Sequence, residues 1–450
     1  MSKSNQIQLS DHFTTGRLLK FTASPIIMMI FTSIYTIVDG FFVSNCAGKT
    51  AFTALNLIYP YLQMLGCLGF MIGTGGSALV AMTLGMGDEK RANQLFSMLA
   101  VATVGIGAIF SAIGLALLRP VALLLGATPE LLPSCLLYGR ILLTFQTAFM
   151  LQYLFQSFFI AAEKPKLGLF FTVAAGVTNM VLDVVLVGML HGGVEGAAIA
   201  TFISQAVGGV LPLFYFLSRR STSSIHLGRT QWNGGVIRSA CINGSSELMT
   251  NLSMSLVNIL YNYQLLRFAG ENGVAAYGVI MYAAFLFVAV FVGYAVGSAP
   301  IVSYHYGARN HAELNNLYSK SLRLIGVIAV VMTALSMLVI PYVARIFVGY
   351  DAELLALTSH AFRVYALNFF LMGFNVYGSS FFTALGDGVT SALISFLRTL
   401  LFQLLALILL PLVLGMEGVW LAVTVAEAGA LCVTVLMFVR KDKVFHYRKA

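Results

Sequence analysis

Two short patterns could do chemistry: Tyr35-Thr-Ile-Val-Asp39 and Asn179-Met-Val-Leu-Asp183. Each puts a carboxylate one helical turn after a polar residue, so both side chains share a helix face. Asp39 stands inside an apolar run from about Leu18 to Val43, and Asp183 inside another from about Leu167 to Leu190. A carboxylate in hydrocarbon costs several kcal/mol unless it is protonated, paired or turned to a wet cavity. Two such acids, each with a neighbouring oxygen, make a site that can take up a proton or complete an oxygen shell for Na⁺.

The chain around them is built for a membrane. It has 450 residues, 59% apolar and 10% charged, with a mean hydropathy of +0.88; soluble domains carry roughly 25% charged residues. The expected fold is an all-α polytopic membrane protein. Runs long enough to span fall near 18–43, 53–84, 94–118, 133–160, 167–190 and 194–217, then near 238–267, 274–305, 318–346, 354–384, 389–413 and 417–439. That predicts twelve transmembrane helices. Residues 1–217 form an N-lobe, 218–237 a polar linker and 238–450 a C-lobe. The polar N-terminus lacks a small-residue cleavage motif, so no cleaved signal peptide is expected.

Charge fixes the expected orientation. With the N-terminus in the cytoplasm, most of the 26 basic residues fall inside, among them Lys3, Arg17, Lys90, Arg91, Arg219, Arg220, Arg229, Arg309, Arg440 and Lys449. Only Lys49, Arg119, Arg267 and Arg345 fall in outside loops. The positive-inside rule then puts both termini in the cytoplasm. It also accounts for the net charge of +9 without a nucleic-acid partner.

The two halves repeat. Gly75-Gly-Ser-Ala…Gly85 lies over Gly297-Ser-Ala-Pro…Gly307 at a shift of 222 residues, and Glu195-Gly196 lies over Glu417-Gly418. Six helices per half is an even number, so the repeat is parallel, and two such bundles enclose a central cavity. Tyr261 stands over Asp39 and Leu405 over Asp183, so the second half lacks both acids.

Several motifs resemble the multidrug and toxic compound extrusion (MATE) transporters, closest to the prokaryotic DinF-like and MepA-like branch. They are Pro25…Asp39 with Ala54-Leu-Asn…Pro60, Gly75-Gly-Ser-Ala…Gly85 before Asp88-Glu-Lys-Arg91, Glu163-Lys-Pro165, Asn179-xxx-Asp183, and Gly193-xx-Gly-Ala-Ala-Ile-Ala-Thr201. The resemblance covers essentially the whole chain. It implies a secondary transporter in a bacterial plasma membrane that exports small organic, mostly cationic compounds in exchange for H⁺ or Na⁺. It further implies cation coupling at Asp39, Asp183, Asn179, Tyr35, Thr201 and Gln156, with Gln152 one turn from Gln156. Na⁺, if used, would sit at Asp39, Asn179 and Asp183. Some relatives hold a cation in the C-lobe through acids on helices 7 and 10; helix 10 here offers only Asn368 and Asn375.

A cavity for varied lipophilic cations would use flexible and aromatic faces. Candidates are Met28, Met150, Tyr153, Tyr261, Met281 and Tyr282, with Asn375 and the embedded acid Glu247. Arg140 and Arg363 are expected to snorkel, whereas Arg398 and Glu427 lie deep in apolar runs. No nucleotide motif, Cys/His spacing or catalytic triad points to an enzyme, a cofactor or a metal centre. The expected partners are a small organic substrate and membrane lipid, and the expected state is a monomer. The alternatives are a flippase for lipid-linked or polysaccharide precursors, which would want a cationic cavity, or a receptor or membrane-embedded enzyme.

Overall fold

The computed structural model describes residues 7–218 and 223–448, and Lys49 by its backbone. Lys3, Arg219, Arg220 and Lys449 lie outside the described residues. The structure is a succession of helices: α1 (Thr15–Phe42), α2 (Lys49–Gly85), α3 (Glu89–Leu124), α4 (Leu132–Thr144), α5 (Gln146–Ala161), α6 (Pro165–Leu182) and α7 (Gly193–Leu217) in the first half. The second half holds α8 (Gly234–Asn243), α9 (Ser245–Gly307), α10 (His311–Val348), α11 (Ala352–Ala366), α12 (Phe369–Ala384), α13 (Gly388–Phe396), α14 (Phe402–Leu414) and α15 (Met416–Phe445).

Among the described residues, nine helices are long and apolar enough to cross a membrane, and two bent pairs, α4–α5 at 56° and α11–α12 at 46°, bring the spans to 11. Helix α9 supplies one more crossing. Its 63 residues would run roughly 95 Å if straight, three times a bilayer core. It breaks at Gly270, where φ is +60° and ψ −146°, and its two arms lie side by side, with the Tyr277 hydroxyl donating to Asn258 Oδ1 at 2.9 Å and the Tyr261 and Tyr277 rings stacked. Counted as two spans, α9 brings the crossings to twelve among the described residues, the number of apolar runs in the sequence.

The repeat is visible in the backbone. Left-handed residues recur 222 positions apart as Gly48 and Gly270, Gly87 and Arg309, and Gly193 and Gly415. The caps recur as well: Asp88 accepts the Arg91 amide at the start of α3, and Asn310 accepts the Glu313 amide at the start of α10. A side-chain oxygen at these positions satisfies a helix N–H that has no partner within the helix.

Some boundaries differ from the sequence reading. Helix α8 begins at Gly234, inside the segment 218–237 read as linker. Spans four and ten are bent, without Pro or Gly at the break. At the first break Phe145 leaves helical geometry (φ −110°, ψ 17°) and its ring stacks on Phe202 at 3.6 Å between centroids. Three stretches wind as π-helix: Val43–Ala47 after α1, Asp183–Met189 after α6 and Leu397–Leu401 between α13 and α14.

The lobes meet along α1, α2 and α9. Towards the end of the molecule that carries the termini, the seam is tight. A methyl added at Gly85 of α2 would run into the Tyr304 carbonyl of α9, and one at Gly307 of α9 into the Met82 carbonyl of α2. These two glycines are repeat mates, so the contact is reciprocal. An apolar cluster completes the closure, joining Leu18, Phe21 and Met28 of α1 to Tyr294, Val302, Leu317 and Phe381 of the second half.

Candidate functional site

Away from the closed end the lobes part around a cavity of about 650 Å³. The second half of α1 (Thr32 to Gly40) with Val43 just after it and the first half of α2 (Phe52 to Gln63) form one wall, with Tyr138, Gln146, Phe149 and Tyr153 of the bent α4–α5 pair and Thr201, Ser204 and Gln205 of α7. The second lobe contributes Asn258, Asn262, Val274, Tyr277, Gly278, Met281, Tyr282 and Phe285, all from α9. Side-chain amides and tyrosines dominate, and Asp39 is the charged residue of the wall. No Lys, Arg or His is among the lining residues.

Asp39 lies in the last turn of α1 and faces Asn179 of α6 and Asp183, the first residue of the π stretch after it. Asn179 reaches the wall, and Asp183 is sealed behind it at 0% exposure. Asp39 Oδ1, both Asp183 carboxylate oxygens and Asn179 Nδ2 are buried with no hydrogen bond of good geometry, although Asp39 lies within reach of both Asn179 and Asp183. Natively buried polar groups are almost always paired, so four orphans at one point mark a place built for something else. The helix geometry marks it too. Asp183 opens one π stretch, another follows Asp39 within one turn, and the two pack against each other. Such π turns collect at functional sites because they turn a side chain or carbonyl out of the regular ladder.

The other predicted coupling residues divide. Tyr35 lines the cavity beside Phe31, with ring centroids 6.3 Å apart, where Gly176 of α6 leaves room for both rings. Thr201 lines it while its hydroxyl donates to the Ala197 carbonyl at 2.9 Å. Gln156 does not reach the cavity; it is buried and bonds Thr172 of α6 at 3.4 Å. Gln152, one turn earlier, sits against Tyr35 and Gly208. Tyr138 was not singled out from the sequence, yet it faces Thr201, Asp39 and Asp183 together. Its signal was faint: Tyr138, Leu142 and Gln146 line one face of the chain at i, i+4 and i+8.

Of the predicted cavity residues, Tyr153, Met281 and Tyr282 line the wall. Tyr261 stands behind it, stacked on the wall residue Tyr277 at 4.8 Å between centroids. Met28 and Met150 are core side chains, at 1% and 0% exposure. Asn375 is buried elsewhere in the C-lobe, donating to Glu427 Oε2 at 2.7 Å and accepting from the Thr434 hydroxyl at 2.8 Å. Glu427 also receives Arg398 Nε at 2.8 Å. Glu247 lies in the first turn of α9, within the field of Arg398, and does not line the cavity. Arg140 and Arg363 are exposed, as snorkelling requires.

Comparison with known proteins places the chain. The MatE family profile matches twice, over residues 25–185 and 248–408. The chain belongs to the MatE family. The two matched segments are the two structural repeats. Curated relatives include the multidrug export protein MepA of Staphylococcus aureus, 20% identical over 95% of this chain and 94% of the relative, and that of Staphylococcus haemolyticus, 21% identical over 94% and 92%. Among solved structures, the outward-facing conformation of a multidrug resistance MATE family transporter superposes with a TM-score of 0.92 at 22% identity, covering 99% of this chain and 100% of that one. A MATE structure in the straight conformation gives the same score, identity and coverage. The protein therefore has the two-lobed MATE fold.

Proposed function

We propose that this protein is a secondary active exporter of small organic cations, driven by H⁺ or Na⁺ antiport, in a bacterial plasma membrane with both termini in the cytoplasm. On that orientation the closed end is cytoplasmic and the cavity opens outward. The observation that carries the reading is the orphaned set of Asp39, Asn179 and Asp183 at the wall of a cavity without basic residues. Two carboxylates in one buried pocket cannot both stay charged without a counter-ion. Tyr35, Thr201 and Tyr138 add oxygens within the same quarter of the wall. The multidrug export names of the MepA relatives agree.

The cycle follows from the charges. With Asp39 ionised, the cavity holds a cation against tyrosine faces and amide oxygens. A proton or Na⁺ arriving from outside reaches Asp39 first, because Asp183 is sealed behind the wall. Neutralising the pair removes the electrostatic hold on the drug and lets α1 and α6 repack where their π turns meet. The drug leaves outward, and the coupling ion is released once the lobes open to the cytoplasm. An entering cation gains about 2.3 kcal/mol per 100 mV. A precursor flippase would need to hold anionic phosphates, and this cavity wall offers no basic side chain to do so.

The test is ion-driven efflux in inside-out vesicles, with pH and Na⁺ gradients imposed separately. Asp39→Asn and Asp183→Asn are expected to abolish coupled efflux while the purified variants remain monodisperse and folded. Undiminished efflux in both would sink the mechanism, and the gradient that supports wild-type transport names the ion.

A further inference from the structure

The segment that leads into each lobe does not rest on that lobe alone. Ahead of α8, the chain from Ile225 to Asn233 lies on α3 of the N-lobe. The His226 amide donates to Asn93 Oδ1 at 2.7 Å, the Gly228 amide to Ser97 Oγ at 2.9 Å, and the Thr230 hydroxyl to the Gln94 carbonyl at 2.9 Å. Ahead of α1, the chain from Leu9 to Phe13 lies on α10 of the C-lobe. Glu313 accepts from the Phe13 amide at 2.9 Å and from Asn316 Nδ2 at 2.8 Å, and meets His12 Nδ1 at 2.6 Å. The Phe13 carbonyl accepts from Lys320 Nζ at 2.8 Å and from Asn316 at 3.0 Å. Gln94 and Asn316 are repeat mates, so the two straps are crossed copies of one device.

The N-terminal strap differs from its mate. The linker must join the lobes in any case; the N-terminus need not, yet it is bonded at both ends. The Leu9 amide donates to Glu163 Oε1 at 2.6 Å in the α5–α6 turn of the N-lobe. Four residues on, Phe13 is held by α10. That stretch spans at most about 14 Å when fully extended. Leu9 and Phe13 are buried at 1% and 0% exposure, and the Phe13 ring stands edge-on to His305 of α9. Most of the contacts on α10 involve a charged group, the stronger class of hydrogen bond.

We propose that residues Leu9–Phe13 are a releasable latch that ties the lobes together at the closed end, with Glu313 and Lys320 as its C-lobe anchors. The inference rests on the alternating-access reading, and it adds the element whose detachment permits the closed end to open. While the strap is bonded at Glu163 and Glu313, α10 cannot move away from the N-lobe. When it detaches, Leu9 and Phe13 leave the apolar cluster and the seam loses a bridging segment.

Spin labels at Lys90→Cys and Ala312→Cys, in a background lacking the five native cysteines, report the separation of the α3 and α10 ends in lipid nanodiscs. These sites are repeat mates and exposed. Glu313→Gln is expected to raise the population with a long separation at least about tenfold, the factor that corresponds to losing one charge-assisted hydrogen bond. Where Glu313→Gln does not fold, the double variant His12→Ala/Lys320→Met leaves the buried carboxylate in place and is expected to shift the distribution the same way. Unchanged distributions in the folded variants, or one short distance in all of them, overturn the latch. The distance readout needs no substrate, so it decides the latch even if cation export fails its own test.

Discussion

At the scale of single residues, four embedded acids divide by what they touch. Asp39 and Asp183 have orphaned oxygens beside a cavity, whereas Glu427 is saturated by Arg398, Asn375 and the C-lobe core. Glu247 is not among the cavity-lining residues and lies within the field of Arg398. The first pair is therefore the one proposed to exchange an ion, and the Arg398–Glu427 pair ties α13–α14 to α15. Breaking a buried pair from one side leaves an uncompensated charge and costs about 3–5 kcal/mol, whereas replacing both partners by apolar residues is often neutral. Glu427→Gln should thus lower the unfolding temperature in detergent steeply, and Arg398→Met/Glu427→Leu should recover most of it. A single variant as stable as wild type would show that the pair contributes nothing. This contrast was only half legible in the sequence. An acid inside an apolar run is conspicuous, so Asp39, Asp183 and Glu427 stood out at once. What each faces depends on which helices become neighbours, so the Glu427 partners, and Tyr138 beside the two aspartates, were not legible.

At the scale of elements, the spans could be read because hydrocarbon demands long apolar runs with every backbone group bonded inside the helix. Their interruptions could not. The bends at Phe145 and ahead of Phe369 carry no Pro or Gly, and the π turns at Asp183 and Arg398 pack against α7 and α9, neighbours that no local pattern announces. Loop capping is more local and can be tested alone. Asp387 caps α13, accepting the Thr390 amide at 3.1 Å and its hydroxyl at 2.8 Å, and pairs with Lys441 at 2.7 Å. Burial works against its charge, but Lys441 and Thr390 together outweigh it and hold the carboxyl below its ordinary value. The stabilisation is therefore fully present above the ordinary carboxylate pKa, about 3.9, and is lost as pH falls through the lower native value. With Lys441 a third exposed, it amounts to about 1 kcal/mol. Asp387→Asn should be less stable than wild type by that amount at neutral pH, and the two unfolding curves should converge as the pH drops below about 4. Curves that stay parallel would refute the ionic role of this cap.

At the scale of the whole molecule, two copies of one six-helix unit have taken different duties. The repeat fixes the backbone of both, down to left-handed residues 222 positions apart. The charge sits on one side: the N-lobe wall carries Asp39, and the α9 wall opposite carries neutral amides, tyrosines, Met281 and Phe285. Selectivity by charge should then be a property of the cavity as a whole. Asn262 stands on the α9 wall, across from the aspartates and outside the proposed ion site. A lysine there would add a positive charge to a space that holds none. At an effective dielectric of about 20 and a separation of about 6 Å, repulsion of a bound monovalent cation comes to roughly 2.8 kcal/mol. Asn262→Lys is therefore expected to weaken binding of fluorescent organic cations by about a hundredfold. A neutral analogue of the same size should lose only the few-fold that a larger side chain excludes. Equal losses for both would mean that the cavity selects by shape, and cation preference would have to arise outside it.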